Sequence, residues 1–114
     1  MKANELRIGN YYDQHGEFKK VDVNVIKELQ ISDRVWIKPI ELTSEIISKT
    51  SFFYCLDSES FMISDCTLKL YDYYDDGFMC VIFGNELKFI KYLHELQNLY
   101  FSLTDNELYI TLWF

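Results

Sequence analysis

Along Ile90 to Leu103, apolar residues recur at steps of three and four: Leu93, Leu96, Leu99, Tyr100 and Leu103. That spacing marks one face of a 3.6-residue period. Lys91, His94, Glu95, Gln97, Asn98 and Ser102 fall mostly on the other side. The pattern predicts a long C-terminal helix whose apolar stripe must be buried. The only apolar material large enough to receive it is the sheet that precedes it.

Upstream, the period falls to two. Asn4 to Asp13 leads into a first strand, and Gln14-His15-Gly16 is a tight turn. Glu17 to Asn24 returns with Phe18, Val21, Val23 and Val25 inward. Val25 to Gln30 fits a short helix as well as a continuing strand. Asp33 to Lys38 reads as a third strand closed by Pro39, which cannot donate to a ladder. Leu42 to Lys49 is a short helix, capped by Thr43 or Ser44 with Glu45 at its positive end.

A meander follows. Phe52 to Leu56 is a strand, Asp57 to Ser60 a turn, and Phe61-Met62-Ile63 the return. Thr67 to Tyr73 places Leu68 and Leu70 inward and Lys69 and Tyr71 outward, and Asp72 breaks the alternation. Asp75-Asp76-Gly77 turns the chain into Phe78 to Phe83, an apolar run expected to be a central strand covered on both faces. Gly84-Asn85 suits a type II′ turn with glycine first. Glu86 to Phe89 then enters the long helix without an evident N-cap. Thr104-Asp105-Asn106 ends that helix, with Asn106 taking the left-handed conformation, and Leu108 to Phe114 is a last strand. These connections are too short for repeated parallel crossovers. The expected fold is α+β: a mainly antiparallel twisted sheet, one short helix, and the long C-terminal helix packed on it through Leu93, Leu96, Leu99 and Leu103.

The chain has 114 residues, which implies one domain over 1–114 with a core that needs no staples. At 49% apolar and 18% aromatic it is too hydrophobic for disorder. No apolar run reaches the roughly 18 residues of a membrane span, and the polar start lacks a signal-peptide core. A cytoplasmic location is expected. The odd count of 3 cysteines agrees, with no CxxC spacing among Cys55, Cys66 and Cys80.

Charge is segregated. Residues 1–49 are balanced, whereas residues 57–76 hold Asp57, Glu59, Asp65, Asp72, Asp75 and Asp76 against Lys69 alone. With a net charge of −7, direct binding to phosphates or anionic lipid is disfavoured, and a basic protein surface is the complementary partner. An acidic loop region also keeps an aromatic-rich domain soluble, the simpler use of the same charges.

Catalytic patterns fail one by one. His15 lies in a turn and His94 on the polar side of a helix, and no cysteine is spaced to be activated by either. The histidines and cysteines give no zinc spacing. Asp72-x-x-Asp75-Asp76-Gly77 lacks the alternating oxygens and closing Glu of a calcium loop. Asp75 and Asp76 are adjacent and solvated, unsuited to acid–base work. Gly77 and Gly84 are turn glycines, so there is no phosphate loop. No metal, cofactor or enzymatic activity is expected. Tyr71, Tyr73 and Tyr74 lie among acids, which suits a protein interface better than base stacking, or else they cover the edge of the sheet.

Three segments resemble a group of small proteins of Bacteroidetes-type bacteria, their prophages and phages. Glu5-Leu6-Arg7-Ile8-Gly9-Asn10-Tyr11 is similar to the group's ELRIGNY opening. Ile37-Lys38-Pro39-Ile40-Glu41-Leu42-Thr43 is similar to its I-x-P-I-x-L-T middle. Residues Ile90 to Thr104 are similar to its IKYVHQLQNLYFALT ending. Residues 52–86 match weakly, and Thr111 to Phe114 lie outside the likeness. The signature carries no chemistry of its own. By analogy with other small acidic phage proteins, the resemblance implies an inhibitor of host defence, anti-CRISPR proteins being the best-known type. The expectation is a non-catalytic protein-binding module of phage or prophage type. It would dock Tyr71, Asp72, Tyr73, Tyr74, Asp75 and Asp76 on a basic nucleic-acid-binding effector nuclease, with no direct contact to nucleic acid or membrane. The alternative is a structural or housekeeping protein that self-associates through Trp113 and Phe114.

Overall fold

The computed structural model describes residues 6–31 and 37–111. Two antiparallel sheets combine with a C-terminal helix, so the class is α+β as expected; Tyr12 and Val21, packed by Leu6, Val25 and Ile26, form a small cluster beside the main core. The first sheet has the order β2-β1-β3, from β1 (Tyr11–Gln14), β2 (Glu17–Lys20) and β3 (Ile37–Lys38). His15 and Gly16 join β1 to β2 with φ of 53° and 88°. Positive φ at both turn residues matches the twist of a two-residue hairpin. The Asp13 carboxylate accepts from the Gly16 N–H at 2.8 Å and holds the turn.

β2 stops at Lys20, short of the expected alternation through Asn24. Val21 instead exchanges backbone hydrogen bonds with Gly9 and Asn10. Asp22 then accepts from Val25 N–H at 3.0 Å and opens α1 (Val23–Ile31), which leaves Val23 exposed rather than inward. The ambiguous stretch from Val25 is therefore helical. Of the expected third strand, Ile37 and Lys38 are seen, and Asp33 to Trp36 lie outside the described residues.

The short helix α2 (Ser44–Ser48) forms where expected, and Thr43 Oγ1 caps it by accepting from Ile46 N–H at 3.1 Å. Next comes a five-stranded meander in sequential order: β4 (Phe53–Cys55), β5 (Ser60–Met62), β6 (Leu68–Asp72), β7 (Phe78–Ile82) and β8 (Asn85–Ile90). The row Tyr54, Phe61, Leu70, Cys80 runs across it. Leu68, Leu70, Phe78, Cys80 and Ile90 form one core with Ile46, Ile47, Phe52, Leu93, Leu96, Leu99 and Leu108.

α3 (Leu93–Thr104) confirms the predicted helix and most of its stripe. Its missing N-cap is replaced by Glu95, whose Oε1 accepts from Lys91 N–H at 3.0 Å and Tyr92 N–H at 3.1 Å. Leu103 departs from the expectation at 42% exposed, while His94 (4%) and Gln97 (1%) are buried on the side read as polar. Asp105, not Asn106, takes the left-handed position and donates its N–H to Phe101 at 2.8 Å.

One hairpin turn also differs. The β7–β8 hairpin turns on Phe83-Gly84, with φ of 51° and 77°, rather than on Gly84-Asn85. Phe83 is thereby expelled to solvent, so only Phe78, Met79 and Cys80 of the apolar run are buried. Of the expected last strand, Leu108 to Thr111 are described, with a bridge from Ile110 to Thr50 and a backbone bond from Thr111 N–H to the Lys49 carbonyl at 2.8 Å; residues 112–114, and with them the self-association expected through Trp113 and Phe114, lie outside the described residues.

Candidate functional site

The meander brings β6 and the turn after it beside the β4–β5 turn. Tyr71, Asp72, Tyr73 and Tyr74 line one open groove of about 620 Å³ together with Ser44, Tyr54, Ser58, Glu59, Phe61 and Leu70. Its volume falls within the ordinary range for ligand sites. Four of the six residues singled out from the sequence thus meet in one place. Asp75 faces a neighbouring groove with Glu41, Lys91 and Tyr92, and Asp76 completes the 3-10 turn Tyr74–Asp76.

Each wall has a local cause. Asp72 Oδ1 accepts from Tyr74 N–H at 2.8 Å, which bends the chain out of β6. Tyr74 sits at φ 56° and is 86% exposed. Glu59, at φ 53°, projects from the opposite turn. Left-handed backbone at two non-glycine residues costs energy, and here both frame the same groove. The floor is built of packed rings: Tyr54 lies edge-on to Phe61 at 5.3 Å, and Phe61 edge-on to Phe78 at 6.3 Å. Tyr73 is braced in the same way by Phe89 at 5.3 Å.

Among the described residues no lysine, arginine or histidine lines this groove. Among the described residues the ion pairs are Arg7–Glu107 and Lys19–Glu17, and neither involves Glu59 or Asp72. Tyr54, Ser58 and Glu59 were missed from sequence. They became legible only once antiparallel β4-β5-β6 pairing set Tyr54 opposite Phe61 and Phe61 opposite Leu70.

A second constellation gathers the two signature ends of the chain. Gln97 Oε1 accepts from Tyr11 N–H at 2.9 Å, and its Nε2 donates to the Gly9 carbonyl at 3.1 Å. Asn10 Nδ2 donates to Asn98 Oδ1 at 2.8 Å, and Asn10 Oδ1 accepts from Arg7 N–H at 2.6 Å. The Arg7 guanidinium bonds Asn98 and Glu107 and lies 4.1 Å over the Phe101 ring. These polar groups bond to one another, so the clasp ties residues 7–11 to α3 and Glu107.

Comparison with family models, curated proteins and solved structures finds no match.

The remaining chemical candidates do not assemble. His15 sits in an exposed hairpin turn. His94, expected on the surface, is buried and stacks on Tyr92 with centroids 5.9 Å apart. Burial pushes the Cys80 thiol up to about 12, so it is no nucleophile. The Cys55 thiol is lowered, chiefly by backbone and side-chain hydrogen bonds from Ser58, with no base beside it. Among the described residues no three His, Cys, Asp or Glu side chains gather to hold a metal ion. No helix among them is long and apolar enough to cross a membrane.

Proposed function

We propose that this chain is a non-catalytic protein-binding module that docks a basic protein surface on the rim Tyr71, Asp72, Tyr73, Tyr74, Asp75 and Asp76. The supporting observation is the groove that four of these residues share with Tyr54 and Glu59, aromatic and acidic, with no base lining it among the described residues. Tyrosine supplies contact area at low entropic cost, and carboxylates steer a cationic surface. The likeness to a phage-associated group suggests the finer reading. The partner is then a host nucleic-acid-processing enzyme, such as a CRISPR effector nuclease, whose basic groove the module occupies as an inhibitor.

A second reading draws on the other sheet face. Phe53, Met62, Val81 and Phe83 line an open groove of about 510 Å³ there, a surface for self-association.

Affinity capture from a host lysate separates the two. The wild type is compared with a variant carrying Asp72, Asp75 and Asp76 as Asn, at low and high salt. Asn at 72 can still accept from Tyr74 N–H, so the turn survives and only charge is lost. The docking reading expects capture of a nucleic-acid enzyme that weakens with the variant and with salt, since exposed charges are screened over about 10 Å at 0.1 M. Equal capture under all conditions would remove the acidic-rim mechanism. Recovery of this chain alone, insensitive to salt, would favour self-association.

A further inference from the structure

Resting on that reading, we propose that the groove between the β4–β5 turn and the end of β6 is an arginine-recognition site, which takes one arginine side chain projecting from a basic segment of the partner protein. The occupant follows from the lining. Glu59 and Asp72 place two carboxylates on the groove, and no cation meets either among the described residues. Asp72 commits one oxygen to Tyr74 N–H, and the other remains for a ligand. Tyr54, Tyr71, Tyr73 and Tyr74 supply aromatic surface, and Ser44 adds a hydroxyl, while the Ser58 hydroxyl is already bonded to Ser60 at 2.7 Å. A planar guanidinium suits both kinds of lining: it stacks on tyrosine rings while its N–H fork donates to carboxylates. A lysine ammonium is a strongly hydrated point charge without the planar face, and gains less. An anionic or purely aliphatic ligand would leave both carboxylates opposed or unpaired.

The groove is also preformed. Its floor is pinned to the core through the edge-on rings Tyr54, Phe61 and Phe78, so little ordering is needed on binding. The exposed Tyr74 ring lines its rim. Asp75 and Asp76 lie outside this lining and would only steer the approach.

The test uses a short acetylated, amidated peptide of alternating glycine and arginine, with citrulline and lysine versions of the same length. Binding to the full chain is followed by amide chemical shifts. The expected result is shifts centred on Tyr54, Glu59 and Asp72, with about tenfold weaker binding for the neutral, isosteric citrulline peptide, the size of one lost charge-assisted pair. Glu59→Gln should weaken the arginine peptide by a similar factor. The double variant Asp75→Asn, Asp76→Asn should weaken it only about twofold, because screened exposed charges contribute little. A lysine peptide that binds as tightly would overturn the guanidinium assignment. Weakening by the 75/76 variant but not by Glu59→Gln would overturn the groove while leaving rim docking intact. No binding of any cationic peptide would overturn both.

Discussion

Replacing Gln97 by Met tests whether the two ends of the chain are held by hydrogen bonds rather than by apolar contact. Met is close in length and volume, so the core is not emptied. What is lost is specific. Tyr11 N–H and the Gly9 carbonyl each lose their bond to Gln97 in a setting where that side chain is 1% exposed. Stranding a buried polar group costs about 1–3 kcal/mol, and two such groups at partly buried positions suggest about 3 kcal/mol in all. For a chain of this size roughly 4 °C is lost per kcal/mol, a fall in Tm of about 12 °C. Glu107→Gln is the control. It removes the Arg7–Glu107 pair, whose Glu side chain is half-exposed, and leaves Arg7 on Asn98 and Phe101. Its cost should stay under about 1 kcal/mol. Urea unfolding followed by circular dichroism gives both numbers. A Gln97→Met variant within about 0.5 kcal/mol of wild type, or no worse than Glu107→Gln, would refute the clasp as the tie between β1 and α3.

Two other outcomes follow. Leu96→Asp buries an unpaired charge among Leu93, Leu70 and Ile90 and should cost several kcal/mol, so a soluble variant melting like wild type would contradict the packing of α3. With limiting iodoacetamide near neutral pH, Cys55 should be alkylated first because Ser58 lowers its thiol pKa, and Cys80 should react only on unfolding; peptide mass mapping that finds Cys80 labelled first would contradict both environments.

The sequence was most legible where one rule governed a whole element. Leu93, Leu96 and Leu99 at helical spacing, Thr43 as a cap, and alternating Leu68 and Leu70 all reported their structure directly. It was least legible where burial comes from polar partners. Gln97 and Asn98 count as surface in any hydrophobic pattern, yet they face Gly9, Tyr11 and Asn10 through hydrogen bonds across some ninety residues. Periodicity registers apolar area and is blind to such pairing. Phe83 misled for a different reason: a left-handed phenylalanine is costly, and only the register of β7 against β8 requires it there. The rim Tyr71 to Tyr74 was visible as a local run of tyrosine and aspartate. Its opposite wall, Tyr54 and Glu59, depended on which strands pair, and one strand alone does not carry that.

The central claim is that this rim is the face that meets a partner. A photo-crosslinking phenylalanine analogue in place of Tyr74 reads it in living cells, with the same analogue in place of Tyr109 as reference. Both positions are well exposed, at 86% and 70%. Tyr74 lies on the groove, and Tyr109 lies beside Gly9, Lys20 and Glu107. The expected result is a covalent adduct from position 74 to a protein with a basic, nucleic-acid-binding surface, lost when Glu59 and Asp72 are neutralised, and no such adduct from 109. Adducts from 109 alone, or from 74 only to a second copy of this chain, would contradict it.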